Sequence, residues 1–230
     1  QSDVSNLVPN DTNGLTDVFR YDRQTGEILL ISASVGGADS GNGYSTGHVI
    51  SADGNRIAFT SAASDLIAND DNGGTEDVFV RDVAAGTTTL VSIRMDELGS
   101  GDSISFGPVI SADGNVVAFE SYASDLTAND TDFNGNVFTR NLGTDTTTLV
   151  SVRPDGVNGG DSGSSSPAIS ADGNMVAFMS YASDLVANDT NSNRDVFVRD
   201  ISGETTTLIS ARPDGPDSGD SYSYNPTISA

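Results

Sequence analysis

The stretch ISADGNRIAF, residues 50–59, recurs as ISADGNVVAF at 110–119 and as ISADGNMVAF at 169–178, and a final ISA begins at residue 228. These copies start 60, 59 and 59 residues apart. A fixed period of this length predicts a fold in which one supersecondary unit is used several times. The structure of a single unit therefore predicts most of the fold.

Short runs typical of β-strands fill each unit. In the first complete unit they are RIAFTS at 56–61, DVFVRD at 77–82 and TTTL at 87–90, bounded by Asp-Gly or Asp/Asn turns. Together with the run before the Asp-Gly turn they make four short antiparallel strands, and no segment has helical spacing. The sequence thus predicts an all-β fold, a β-propeller of four-stranded antiparallel blades with 59 or 60 residues per repeat.

The phase of the repeats predicts a single propeller region over residues 1–230. It divides into a partial blade at 1–47, blades at 48–106, 107–165 and 166–224, and the start of the next blade at 225–230. About four blades are visible, but a ring closed from these strands alone would lack one strand. We therefore expect these blades to belong to a larger ring, with a self-closing four-bladed ring as the alternative.

The order ISADGNxVAF followed by DVFVRD resembles the WD40-like β-propeller repeat of TolB-like proteins, and the resemblance extends over every unit. Two features depart from the family pattern. Alanine stands where the family has proline before Asp-Gly, and each unit is roughly twenty residues longer than the usual repeat. The longer form resembles a variant found in secreted bacterial proteins, which implies an extracellular or cell-surface location. Such a resemblance supports an inference about the fold better than an inference about the activity.

Charge and composition exclude several classes of partner. The chain has ten basic residues, all arginine, against 33 acidic ones, and a net charge of −23. Such a surface repels phosphate backbones and anionic lipid, and no apolar run approaches the roughly 20 residues of a membrane helix. We therefore expect neither nucleic acid nor membrane insertion. The excess of negative charge instead favours cations as partners. The absence of cysteine excludes disulfides and thiolate metal sites.

A polar loop before each DVF-type strand spaces its acid and amide side chains as in a cation-binding loop. In the first copy Asp11, Asn13 and Asp17 stand at positions 1, 3 and 7. Calcium takes six to eight oxygen ligands, which alternating side chains and carbonyl groups of one loop can supply. The predicted ligands, with an acid upstream of three of the loops, are Asp11, Asn13, Asp17, Asp65, Asp70, Asn72, Asp77, Asp125, Asp130, Asp132, Asn136, Asp184, Asp189, Asn191 and Asp195.

We predict calcium as the cofactor rather than magnesium, because flexible loops with mixed carboxylate, amide and carbonyl oxygens suit the larger ion. The alternative is that these loops are only Asx-turns between strands. Two carboxylates about 4 Å apart repel by about 1 kcal/mol in water and about 4 kcal/mol at an effective dielectric constant of about 20, so repeating the pair without a counter-ion is costly. The copy that contains Phe133 and Asn136 departs furthest from the pattern.

Gly/Ser-rich stretches lead from each unit to the next at 41–49, 101–109, 160–168 and 219–227, and we call them the crossover segments. In an up-and-down blade they emerge on the same rim as the polar loops. Four aromatic residues would lie on this rim and could bind a protein or glycan partner, or a second copy in self-assembly. They are Tyr44, Phe106, Tyr222 and Tyr224. The alternative is that they only pack against the crossover segments.

Catalysis has little support in the sequence. The single histidine, His48, aligns with Pro108 and Pro167, whereas Glu120 is the one acid that breaks the repeat. We therefore predict a non-catalytic, calcium-binding, extracellular propeller that serves as a binding or assembly scaffold, and we name no catalytic residue. The alternatives are a hydrolase or lyase with its active site in the propeller channel, and a structural subunit of a surface layer or sheath.

Overall fold

The computed structural model describes residues 1–229, which form fourteen β-strands and no helix. Nothing in this range could therefore cross a membrane as a helix. The strands are β1 (Phe19–Tyr21), β2 (Ile28–Leu30), β3 (Ser45–Ile50), β4 (Arg56–Ser61), β5 (Asp77–Asp82), β6 (Thr87–Leu90), β7 (Ser105–Ile110), β8 (Val116–Ser121), β9 (Asn136–Asn141), β10 (Thr146–Leu149), β11 (Ser164–Ile169), β12 (Met175–Ser180), β13 (Asp195–Asp200) and β14 (Thr205–Leu208).

The strands make three four-stranded sheets and one two-stranded sheet, and all pairs are antiparallel. Each four-stranded sheet follows chain order, β3 to β6, β7 to β10 and β11 to β14, and β1 pairs with β2. This confirms the prediction of an all-β fold with four-stranded antiparallel blades. Each complete sheet begins at Ser45, Ser105 or Ser164, so the first strand of a blade lies partly inside a crossover segment.

The blades meet along their first strands. Strand β7 contacts both β3 and β11, so this edge of each sheet lies where neighbouring blades meet. The Asp-Gly hairpins that follow these strands are also joined: the Ala52 N–H donates to the Ala112 carbonyl, and the Ala112 N–H donates to the Ala171 carbonyl, both at 2.9 Å. One backbone joint is therefore used at two successive blade boundaries.

The centre of each complete blade contains one pair of stacked phenylalanines. The pairs Phe59–Phe79, Phe119–Phe138 and Phe178–Phe197 have ring centroids 5.9, 5.8 and 5.7 Å apart, and all these rings are fully buried. In the first two complete blades the opposite face packs on the next blade, as where Ala58 and Val80 join the cluster around Phe119. Coverage on both faces explains why the strand sequences are almost continuously apolar.

A bulge kinks the first strand of each complete blade. The pairing register shifts between Thr46 and Val49 in β3, and at the same place in β7 and β11. Within this bulge Gly47 and Gly107 have φ of 57° and 63°, and Ser166 has φ of 55°. A positive φ is uncommon for a residue with a side chain, so the backbone at Ser166 is under local strain. The bulge also brings the β7 and β11 backbones beside Glu120.

Candidate functional site

The polar loops and the crossover segments lie against each other and form one rim. Ser40, just before the first crossover segment, accepts hydrogen bonds at 3.0 Å from the N–H groups of Thr12 and Asn13. Ser218 accepts the Thr190 N–H at 3.1 Å in the same way. The rim predicted from strand connectivity is thus present, and serines that the sequence reasoning did not single out hold it together.

The acid at the start of each DVF-type strand is buried and holds a serine from the far side of the blade. Asp17, Asp77 and Asp195 are fully buried. Each accepts a hydrogen bond from a serine hydroxyl just after the last strand of its blade: Ser32 at 2.5 Å, Ser92 at 2.6 Å and Ser210 at 2.5 Å. One oxygen of each predicted ligand is therefore already engaged in a structural contact, which leaves the other oxygen for the loop.

The first acid of the loop is also buried in three copies. Asp11, Asp130 and Asp189 are 5%, 2% and 8% exposed. Burial raises the pKa of each of these carboxyl groups, and it raises the pKa of Asp77 to about 7 and that of Asp130 to about 6. The loops thus concentrate carboxylates where ionisation is costly.

The amides of the loops donate hydrogen bonds in the structure. The side-chain NH₂ groups of Asn13, Asn72 and Asn191 donate to carbonyl oxygens of the crossover segments at 2.7, 3.2 and 2.7 Å. Asn72 and Asn191 also donate to the second oxygens of Asp77 and Asp195, at 2.7 and 3.0 Å. Each amide therefore ties the loop to the rim, and the buried Asn72 Oδ1 has no donor within the described chain.

The acids upstream of the polar loops form hydrogen bonds with the crossover segments of the rim. One oxygen of Asp65, Asp125 and Asp184 accepts a backbone N–H of a crossover segment, at 2.8, 3.0 and 2.9 Å. Among residues 1–229 no group of three or more acid or histidine side chains gathers as a metal site, since each loop brings together two carboxylates with amides and carbonyl groups. The calcium assignment therefore stays a prediction.

The third loop is arranged differently. Asn136 takes the place of the strand-start acid, its Oδ1 accepts the Ser151 hydroxyl at 2.7 Å, and its NH₂ group lies 3.4 Å from both oxygens of Asp130. Asp132 accepts the Asn134 N–H at 2.8 Å. An amide thus provides a donor to the first acid of this loop, whereas both oxygens of Asp11 and one oxygen of Asp189 have no donor within the described chain.

The four aromatic residues predicted on the rim have different environments. The Tyr44 hydroxyl donates to Glu76 at 2.9 Å, and Phe106 stacks on Tyr122 with ring centroids 6.3 Å apart. Tyr222 and Tyr224 are about half exposed, and the Arg194 guanidinium lies 4.3 Å from the centre of the Tyr224 ring. Phe106 is thus engaged in packing, whereas Tyr44, Tyr222 and Tyr224 leave part of their rings open to solvent.

Glu120 lies at the seam between the inner strands β7 and β11. Its Oε1 accepts the N–H of Ser166 at 2.9 Å, and the Gly107 position leaves room for this contact because a Cβ there would come within 3.3 Å of the same oxygen. Burial raises the pKa of the carboxyl group, and the Ser166 hydrogen bond partly opposes that rise. His48 is exposed on β3 at the equivalent of the buried Pro108 and Pro167.

An arginine lies in a cavity on each complete blade, and the sequence analysis did not select it. Arg81, Arg140 and Arg199 line cavities of about 390, 350 and 350 Å³ beside the start of the polar loops. The Nε of each has no acceptor within the described chain. These arginines come from the repeated VRD or TRN ends of the strands, which was the signal available in the sequence. Arg140 already pairs with Asp145 at 3.4 Å and Glu97 at 3.6 Å, whereas Arg81 and Arg199 could receive a carboxylate or another anion.

The fold is similar to propellers in solved structures. A prolyl endopeptidase matches with a TM-score of 0.51 and 15% identity over 84% of this chain and 25% of its own. The tricorn protease matches with 0.48 and 16% over 78% and 15%, and a putative TolB from Agrobacterium tumefaciens with 0.39 and 18% over 84% and 79%. No protein-family model and no curated protein matches the chain. At these identities the likeness shows the β-propeller fold, and the chain spans a quarter or less of the two proteases.

The prediction of a non-catalytic scaffold is wrong by these comparisons. Several of the similar structures are peptidases, including the prolyl endopeptidase, dipeptidyl peptidase 4 of Porphyromonas gingivalis and an acylaminoacyl peptidase of Pyrococcus horikoshii, and another is an oligogalacturonate lyase. The prolyl endopeptidase, which matches at a TM-score of 0.51, favours the hydrolase or lyase alternative. The prediction relied on the even distribution of acids over the repeats, but a single side chain that breaks the repeat is enough to serve a reaction.

Proposed function

We propose that this chain is the propeller part of a peptide hydrolase, with Glu120 as the general acid and base at the seam between β7 and β11. The observation that carries the proposal is the environment of the Glu120 carboxyl group. It is half-buried between two bulged strands, one oxygen is fixed by the Ser166 N–H, and the other accepts no hydrogen bond from residues 1–229. The prolyl endopeptidase among the similar structures supports the substrate class.

The chemistry requires a carboxyl group that changes protonation near the working pH. Burial raises the pKa of Glu120 toward that range, which makes it a better proton acceptor than an exposed glutamate. As the base it would take a proton from water while the water oxygen bonds to the peptide carbonyl carbon. As the acid it would return that proton to the amine nitrogen when the C–N bond breaks. The Ser166 N–H would hold the carboxylate in a fixed orientation throughout.

The test compares Glu120→Gln with Glu27→Gln in hydrolysis of a mixed fluorogenic peptide pool by the full chain. Glutamine keeps an oxygen for the Ser166 N–H but cannot exchange the proton, so we expect kcat/KM to fall about 10²- to 10⁴-fold. Glu27 is exposed, so its variant controls for loss of one negative charge and should keep full activity. Absence of hydrolysis by the unmodified chain, or equal activity of the two variants, would overturn the proposal.

We also propose that the protein works outside the cell. The support is the excess of aspartate and the polar loops, because extracellular modules meet calcium near their dissociation constants of about 0.1–1 mM. Immunodetection in the culture medium or at the surface of intact producing cells tests the location. Recovery in the soluble cell lysate alone would refute it.

A further inference from the structure

Three of the polar loops pair their first acid with an acid at the start of the DVF-type strand, and we call them the acid loops: Asp11 with Asp17, Asp70 with Asp77, and Asp189 with Asp195. In the last pair one residue contacts both carboxyl groups, because the Asn191 N–H donates to Asp189 at 3.4 Å and its side-chain NH₂ group donates to Asp195 at 3.0 Å. One member of each pair is fully buried. Such an arrangement is unfavourable unless something positive separates the two groups.

Several of these buried oxygens have no hydrogen-bond donor within the described chain. Neither oxygen of Asp11 has one, although the side chain is only 5% exposed. The second oxygen of Asp17, fully buried beside it, also lacks a donor, and so does one oxygen of Asp189, which is 8% exposed. Buried polar atoms in folded proteins almost always have a partner. Unpartnered carboxylate oxygens at this burial therefore point to a positively charged ligand.

The arginines of the described chain do not provide that charge. Near the acid loops, Arg94 pairs with Asp71 at 3.2 Å and Arg212 with Asp217 at 2.8 Å. Within residues 1–229 no ion pair includes any of the six carboxylates of the acid loops. Where both carboxyl groups of a pair are ionised, the counter-charge therefore comes from outside the described chain.

The third loop supplies an internal comparison. There Asn136 replaces the strand-start acid, and its NH₂ group approaches both oxygens of Asp130. Both oxygens of Asp130 thus have an amide donor nearby, whereas both oxygens of Asp11 and one oxygen of Asp189 have none within the described chain. The buried first acid of this loop is therefore partnered without a cation.

We propose that each acid loop binds one divalent cation, with calcium preferred, and that the loop at Asp130 does not bind it at comparable affinity. The two carboxylates of a loop would hold the ion from opposite sides. The amide of Asn13, Asn72 or Asn191 would add its oxygen after a half-turn of the side chain, which exchanges the positions of its oxygen and nitrogen. Carbonyl groups and water would complete the six to eight oxygens that calcium takes. This inference stands apart from the proposed hydrolysis.

Amide NMR of the full, chelator-stripped chain during a calcium titration tests each loop separately. We expect the signals of Leu15, Gly74 and Asn193 to shift with saturation by about 10 mM calcium, and that of Gly135 to stay. Sodium at matched ionic strength should move none of them, and magnesium should act more weakly. No shift in any acid loop, or an equal shift at Gly135, would overturn the proposal.

Two substitutions sharpen the assignment. Asp189→Asn should abolish the shift at Asn193 and leave those at Leu15 and Gly74, whereas the matched change Asp130→Asn should leave all three. Asn136→Asp recreates the carboxylate pair in the third loop and should make Gly135 respond to calcium. Persistence of the Asn193 shift in the Asp189→Asn chain would show that the ion is not held by this carboxylate, and would refute the site.

Discussion

The hydroxyl group of Ser92 donates a 2.6 Å hydrogen bond to Asp77 and accepts the N–H of Val78 at 3.0 Å. Ser92 follows the last strand of its blade, and Asp77 begins the third strand. The same two contacts recur where Ser32 meets Asp17 and where Ser210 meets Asp195. The entry of each DVF-type strand is thus fixed by a side chain from the end of the blade.

Replacing Ser92 with alanine should destabilise the fold. It removes a buried hydrogen bond to an acid and leaves the Val78 N–H without its acceptor, which should cost about 1.5–3 kcal/mol in the free energy of unfolding. Urea unfolding with chelator present measures the cost. Ser192→Ala, at an exposed serine, is the control and should stay within about 0.5 kcal/mol. Equal stability of the two variants would contradict this role of Ser92.

Stability without calcium should fall as the pH rises from 5 to 8. Burial, together with the charges of Asp70 and Asp71, raises the pKa of Asp77 to about 7, against hydrogen bonds from Ser92 and Asn72 that lower it. Because the folded-state pKa lies above the unfolded value, the contribution of this group is complete below the unfolded pKa and is lost as the pH rises through about 7. We expect a loss of at least about 1 kcal/mol, or roughly 2–4 °C in Tm.

The control for the pH effect is Asp77→Asn. Asparagine preserves an acceptor for the Ser92 hydroxyl, as Asn136 does for Ser151 in the third loop. The variant should therefore lose much of the pH dependence in thermal melts with chelator. A slope unchanged from that of the original chain would show that Asp77 is not the group responsible.

Gly160→Ala should destabilise the rim through overpacking. A Cβ at this glycine would lie 2.3 Å from the Cβ of Ala182 and 3.0 Å from the Leu185 side chain, so the crossover segment would have to move. The expected cost is about 1–3 kcal/mol by urea unfolding. At Gly215 a Cβ meets nothing within 4 Å, and alanine there should be neutral or stabilise by up to about 1 kcal/mol. If Gly160→Ala left the free energy of unfolding unchanged, the crossover segment would be able to move and accept the added methyl group.

The stacked phenylalanines should carry much of the stability of each blade. Phe138 is fully buried against Phe119, and Phe138→Ala should cost about 3–5 kcal/mol in the free energy of unfolding. Phe133, only five positions earlier, is 76% exposed, and its alanine variant should change stability by no more than about 0.5 kcal/mol. Similar losses in the two variants would argue against the burial described for the stack.

The sequence was sufficient to predict the strands, because each apolar run is short, repeated and bounded by turn residues. It also identified Glu120 as the acid that breaks the repeat. It could not identify the partner of Glu120, since Ser166 lies 46 residues further along the chain and belongs to another blade. Contacts between blades depend on how the sheets stack, which no local pattern in the sequence records.

The polar loops show the same limit at shorter range. Serine is common throughout this chain, so nothing in the sequence distinguishes Ser92 as the partner of Asp77, fifteen residues away. Asp65 was predicted to add an oxygen to its loop, yet one of its oxygens accepts the Asn42 N–H of a crossover segment. At Asn136 the sequence suggested a missing ligand, whereas the structure shows an amide in contact with Asp130.

The backbone joint from Ala52 to Ala112 and from Ala112 to Ala171 involves no side-chain atom. A unit inserted between two others would meet the same backbone donor and acceptor groups on either side. The neighbouring units would still have partners for their own backbone groups. Gene duplication could therefore lengthen or shorten the array by whole units without the invention of a new interface, while a gain or loss of part of a unit would leave this edge unmatched.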